Sequence, residues 1–322
     1  MKKGLGVIGA LLAIWLMITC LGSKEKSLGG VTEKNLVVLS TTAMICDIVD
    51  QVGGERVHAT TLIQGAIDPH SYELVKGDDE KIDGADLVFF NGLHLEHGAS
   101  LQYKLSSHPK AVSVGDYILS NYPDSILYEE GQPDPHIWMD ISLWVKIIEP
   151  VVEGLSEKDP EGKEYYMARG VLVKEKMLRF HSDLKAQLQK VPEHRRYLVT
   201  SHDAFGYFTR SYLATEEDLV KDTWKKRFAA PEGLAPDGQL GVMDLQKIVD
   251  YLAKYQVGVV FPESNVSRDS LKKIVFACKE KHLAIRFSHN ALYGDCMGIS
   301  DSYLDMIGHN GAILIKEWEH FP

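Results

Sequence analysis

Leu36-Val-Val-Leu-Ser40 is a short apolar run, and Ala43-Met-Ile-Cys-Asp-Ile-Val-Asp-Gln-Val52 follows it at once with apolar residues three and four apart. The first reads as a buried strand and the second as a helix. The same rhythm continues outward along the chain. Thr60–Ile63 reads as strand, Leu74–Gly84 as helix, Asp86–Phe90 as strand, Ala99–Leu105 as helix and Ala111–Val114 as strand. Such alternation predicts a parallel sheet covered by helices on both faces.

Asp159-Pro160 interrupts the pattern. From about Gly162 to Lys190 there is no proline, and apolar residues are spread among many Lys, Glu, Gln and Arg, so this stretch reads as one long helix. Beyond Pro192 the alternation resumes. Strands are expected at Arg196–Ser201, Val257–Phe261 and Ala284–Phe287, and helices at Ala204–Leu213, Met243–Tyr255, Arg268–Lys281 and Ser302–Lys316. The expected fold is α/β, with two lobes that each hold a small parallel β-sheet flanked by helices, joined by one long helix. The boundaries fall at residues 34–158 for the first lobe, 159–192 for the linking helix and 193–322 for the second lobe.

The 322 residues suffice for two compact lobes, and 45% hydrophobic with 25% charged residues is an ordinary globular composition. With 35 basic against 45 acidic side chains the formal charge is -10, which argues against a nucleic-acid partner. Lys2 and Lys3 precede an apolar run from Leu5 to Ile18, and a polar stretch begins after Cys20. This is the pattern of an export signal, covering residues 1–19, and the run is short for a membrane span, which needs roughly 20 apolar residues. Removing it takes the formal charge to -12. Residues 20–33 then read as a flexible tether.

One tripeptide occurs twice, as Asp68-Pro69-His70 and Asp134-Pro135-His136. Proline fixes its own φ and pushes the preceding residue toward extended backbone, so each His is presented from a stiff turn, as a preorganised ligand should be. His202 stands at the end of an expected strand, where open α/β sheets collect ligands. Asp295, in Tyr293-Gly-Asp-Cys-Met-Gly298, lies in a loop between the last strand and the last helix. Three imidazoles and one carboxylate, two groups from each half, would enclose a first-row divalent ion.

On these segments, together with Ala85-Asp-Leu-Val-Phe-Phe-Asn-Gly-Leu-His-Leu-Glu96, Thr200-Ser-His-Asp-Ala-Phe-Gly-Tyr-Phe208 and Leu292-Tyr-Gly-Asp295, the chain resembles the metal-binding receptors of bacterial ABC transporters for zinc, manganese or iron, the cluster A-I or TroA-like solute-binding proteins. The resemblance covers nearly everything after residue 34. It implies one metal ion on His70, His136, His202 and Asp295 between the lobes, and a membrane permease as partner. It also implies an exported location, in the periplasm or on the outer face of the cytoplasmic membrane, with Cys20 as the lipidated residue of a lipoprotein anchor and a monomeric receptor. Glu263, in Phe261-Pro-Glu-Ser264, resembles a family acid beside the site. His202 is similar to the zinc-type and mixed-specificity members, whereas Tyr122–Gln132 lacks the His-rich loop common in zinc importers.

Of the thirteen His, most carry no motif and read as ordinary core or surface rings. His94 and His97 are spaced as two ligands on one helical turn, but the family has non-ligand residues there. Trp138, Tyr72 and Phe205 adjoin the expected ligands, as water-excluding walls or as plain core. Cys278 and Cys296 would close an 18-residue loop if exported and oxidised, a possible disulfide. Three imidazoles with a carboxylate base would also suit a zinc hydrolase. No His-Glu-x-x-His helix, Gly-x-Ser-x-Gly elbow or phosphate-binding loop accompanies them, so the chain reads as a receptor rather than an enzyme. A surface adhesin on the same fold is the remaining alternative.

Overall fold

The structure, a computed structural model, describes residues 35–236 and 240–319. The expected leader, Cys20 and the tether lie outside them. Strand β1 (Leu36–Ser40) is central in a four-stranded parallel sheet, between β2 (Val57–Thr61) and β3 (Leu87–Phe90), with β4 (Ala111–Ser113) beyond β3. Alternate side chains of one strand point to opposite faces. Val38 and Phe89 therefore enter one apolar cluster with Met44, Ile45 and Ile48 of helix α1 (Ala43–Gly53), while Leu39 and Val88 enter another with Leu62, Ile82 and Leu101. Both faces are covered, which is why these strands read as unbroken apolar runs.

Two elements start elsewhere than expected. The strand expected at Thr60–Ile63 begins at Val57. Helix α2 (Asp78–Gly84) starts late because Gly77 has φ 98°, outside the helical range, and because the buried Asp78 carboxylate accepts hydrogen bonds from Val75 N (3.0 Å) and Tyr72 Oη (2.7 Å). Helix α3 (Ala99–Ser107) and helix α4 (Val114–Asn121) complete this half before helix α5 (Ile148–Lys158).

Helix α6 (Lys163–Leu188) is the long helix, 26 residues without a break. Its first half lies on α5, where an added Cβ at Gly170 would stand 3.0 Å from Ile148 Cγ2. Its second half lies on the last helix, where Leu184 packs against Gly311. Beyond it, β5 (Leu198–Val199) pairs in parallel with β6 (Phe228–Ala229), and, after helix α7 (Val242–Lys254), β7 (Val259–Val260) pairs in parallel with β8 (Arg286–Phe287), which follows helix α8 (Asp269–Glu280). Phe261 N donates to Val199 O (2.8 Å) and ties the two pairs together. Helix α9 (Tyr303–Glu319) closes the fold. The strands of this half are shorter than expected because their ends turn into loops. The helix expected at Ala204–Leu213 is a short turn at Gly206–Phe208 followed by a wider π-type turn at Thr209–Leu213.

One apolar cluster runs from Val38 and Phe89 of the first sheet through Tyr166, Val173 and Leu184 of α6 to Phe261 and Trp318 of the second half. No helix among the described residues is long and apolar enough to cross a membrane. The carboxyl ends of the parallel strands of both halves open toward one region, where His202, Glu263 and Asp295 follow β5, β7 and β8.

Candidate metal centre

The two Asp-Pro-His tripeptides fold into the same turn. Asp68 Oδ1 accepts a hydrogen bond from His70 N at 2.9 Å, and Asp134 Oδ1 accepts one from His136 N at 2.9 Å. The aspartate closes the turn, the proline stiffens it and the histidine is thrown inward. Asp134 Oδ1 also accepts from His136 Nδ1 (2.7 Å), which leaves Nε2 as the free lone pair. Burial holds His136 down to about 4 and His70 down to about 3, and it pushes Asp134 up to about 7. Both rings are therefore neutral near pH 7, the form that binds metal.

His202 is held by Glu263. Glu263 Oε1 accepts from the backbone of Ser201 (2.9 Å) and His202 (3.0 Å), and Oε2 lies 2.8 Å from His202 Nδ1. Burial alone would lower the pKa of this ring, but the carboxylates of Asp295 and Glu263 on either side raise it well above the ordinary value. Burial would likewise raise Asp295, yet the surrounding imidazoles, His202 foremost, hold it far below the carboxylate range. Asn265 Nδ2 donates to Asp295 Oδ2 (3.1 Å) and fixes the carboxylate.

His70, His136, His202 and Asp295 are all buried, and each offers one ligand atom within 4.8 Å of the others. The Nε2 atoms of His70 and His136 are 3.2 Å apart. Asp295 Oδ2 is 3.1 Å from His202 Nε2, and Oδ1 is 3.5 Å from His136 Nε2. His202 Nδ1 and Nε2, Glu263 Oε2 and Asp295 Oδ1 lack a well-aligned hydrogen bond within the protein. Four buried ligand atoms converging at this spacing fit a cation between them, and three nitrogens with one anionic oxygen suit a first-row transition metal.

Several supporting residues carry no sequence signal of their own. Glu96 is buried and accepts from Thr41 Oγ1 (2.6 Å), Asn91 N (2.8 Å) and Gly92 N (3.0 Å); Asn91 Nδ2 in turn donates to Pro135 O (3.0 Å), behind His136. Trp138 does line the site, its ring 5.3 Å from that of His136, and its Nε1 donates to Gly294 O (2.9 Å) beside Asp295. Tyr72 instead turns its hydroxyl to Asp78, and Phe205 packs on Phe208 in the core.

The possible disulfide between Cys278 and Cys296 is not formed in this structure. Both thiols are free: Cys278 is sealed among Val257, Leu271 and Ile274, whereas Cys296 Sγ lies 3.3 Å from Ser264 Oγ beside the site. His94 and His97 stand outside the four-residue group.

The sequence profile of ZnuA, the periplasmic zinc-uptake complex component A, matches residues 38–316. The chain belongs to this family. Within it, the metal-binding protein YtgA of Chlamydia pneumoniae is 41% identical over 280 residues, 87% of this chain and 85% of its own length. The manganese-binding lipoprotein MntA of Bacillus subtilis is 30% identical over 317 residues, 97% of this chain and 98% of its own. The crystal structure of Fe(III)-bound YtgA from Chlamydia trachomatis superposes with a TM-score of 0.83 at 38% identity, covering 88% of this chain and 98% of that one. The family and the two-lobed α/β architecture expected from sequence are both met.

Proposed function

We propose that this chain is the extracytoplasmic receptor of an ABC transporter that captures one transition-metal ion on His70, His136, His202 and Asp295 and delivers it to a membrane permease. The observation that carries this reading is the convergence of four buried ligand atoms from both halves of the chain on one point. A catalytic metal keeps a position open for water, whereas here a fourth side chain occupies it, which favours carriage over hydrolysis. No observation favours the adhesin reading.

Zinc, manganese and iron are the candidate cargoes. The family is described by zinc uptake, and the relatives include a manganese-binding lipoprotein and a protein solved with Fe(III). Imidazole suits zinc and iron, and a carboxylate able to bind through one or both oxygens admits manganese. Export and cleavage before a lipidated Cys20, a monomeric state, and lobes bounded at residues 34–158 and 193–322 around the 159–192 helix complete the reading. It is supported by the signal-like pattern of residues 1–20 and by a relative named as a lipoprotein. Metal analysis of protein purified without added metal or chelator, followed by competition among the three ions, tests it. Retention of one ion per chain, lost in His202→Ala and Asp295→Ala, is expected; metal-free protein with no measurable affinity for any of the three would refute it.

A further inference from the structure

His97 is half-buried, and its ring centroid lies 5.6 Å from that of His70 at a tilt of 52°. Among the three candidate ligand rings the spacings are 5.2, 5.3 and 6.1 Å, so the His97 ring packs against His70 at the centroid spacing of the ligand rings themselves. Its Nδ1 lies 3.1 Å from His94 O. A carbonyl can only accept, so Nδ1 carries the hydrogen and the neutral ring keeps its lone pair on Nε2. Asp134 imposes the same tautomer on His136.

The loop that creates this arrangement is strained and firmly held. Gly92, Leu93 and His94 have φ of 72°, 53° and 64°, and two of these are non-glycine residues in the left-handed region. Such residues persist only where their surroundings over-determine them, and they concentrate at functional sites. Here the buried Glu96 carboxylate grips the turn through Asn91 N and Gly92 N. The loop is also docked on the one that bears His70. Glu73 accepts from Ala99 N (2.7 Å) and Ser100 N (2.8 Å), and a Cβ on Gly98 would stand 2.0 Å from Tyr72 O. The distance between the two rings is thus set by backbone contacts on both sides.

Resting on the receptor reading above, we propose that His97 is a receiving ligand, which binds the incoming metal ion through Nε2 together with His70 before the ion passes to the buried four-ligand site. His97 does not belong to that final set, so it shapes the path of the ion rather than its resting state. A group that acts only on the path alters association and release by the same factor and leaves the equilibrium constant unchanged.

The test is stopped-flow uptake of zinc by the full chain, read by fluorescence of Trp138 beside His136, with release measured into excess chelator. In His97→Ala both rates should fall by about tenfold while Kd stays within about twofold of the parent, the rate change matching the low end of what one lost metal-site partner costs. His94→Asn keeps the carbonyl and tolerates the left-handed backbone, and should match the parent. An association rate unchanged in His97→Ala overturns the proposal. So does weaker binding with faster release, since His97 would then only prop His70, and so does an equal slowing in His94→Asn. If His97→Ala does not fold, His97→Gln is judged by the same rates. A parent chain that takes up no metal would sink the receptor reading instead; normal uptake with unaltered His97→Ala kinetics sinks the relay alone.

Discussion

Gly294 shows how tightly the residues around the candidate centre are set. A Cβ there would lie 2.2 Å from Glu263 Oε2 and 3.4 Å from His202 Cε1, so Gly294→Ala must push aside the carboxylate that orients His202. We expect this change to weaken metal binding about 10- to 100-fold, the usual loss when a ligand's hydrogen-bond partner is displaced. Chelator competition with zinc measures it, and an unaltered affinity would show that Glu263 does not position the ring. At this scale the sequence revealed the ligand candidates because an unusual tripeptide is repeated and two further groups sit at strand ends. It concealed the work of Asp68, Asp134 and Glu96. A carboxylate that closes a turn or accepts backbone amides is the same residue type as the many acids on the surface, and only the backbone around it tells them apart.

Among the elements, the start of α6 is fastened by Asp159, whose carboxylate accepts from Arg56 Nε (2.7 Å) and Nη2 (3.0 Å), Tyr166 Oη (2.6 Å) and Gly162 N (3.2 Å). Arg56, which leads into β2, holds this carboxyl down to about 2 from an ordinary 3.8. A depressed carboxyl pKa contributes stability that is complete above the unfolded value and vanishes as pH falls through the folded one. The contribution should therefore fade between about pH 4 and pH 2. Asp159→Asn should cost about 1–2 kcal/mol at pH 7, as expected for charge-assisted hydrogen bonds at a partly exposed site, and should flatten the stability curve over that acid window. Denaturant titration across pH checks both; an acid limb parallel to the parent's would mean that the pair does not matter. The sequence located α6 well, since its 26 residues combine the absence of proline with apolar residues spread among many Lys, Glu, Gln and Arg rather than gathered in short apolar runs. The two strand pairs of the second half were blurred because their strands are two residues long, too short for any periodicity.

For the whole molecule, the apolar cluster that joins both sheets through α6 leaves no plane along which the lobes can part without exposing core. Residues from Asn35 onward form one compact unit, and Trp138 reaches Gly294 O across 156 positions of sequence while Tyr303 Oη donates to Trp138 O (2.6 Å). Contacts of that separation leave no trace in local sequence pattern. Metal-free and metal-loaded protein should accordingly give the same radius of gyration by small-angle scattering, and a clear expansion on metal removal would contradict a fixed frame. Because only the folded chain brings residues 70 and 295 together, a free ion at 100 times its Kd should add about 2.7 kcal/mol of stability, read as a raised melting temperature. The unbridged cysteines have a further consequence. Burial pushes the thiols of Cys46, Cys278 and Cys296 all above their ordinary pKa, so little thiolate is available to react. Among the described residues the fold then asks for no disulfide, so, on the export proposed above, we expect these residues to reach the same fold in reducing and in oxidising surroundings.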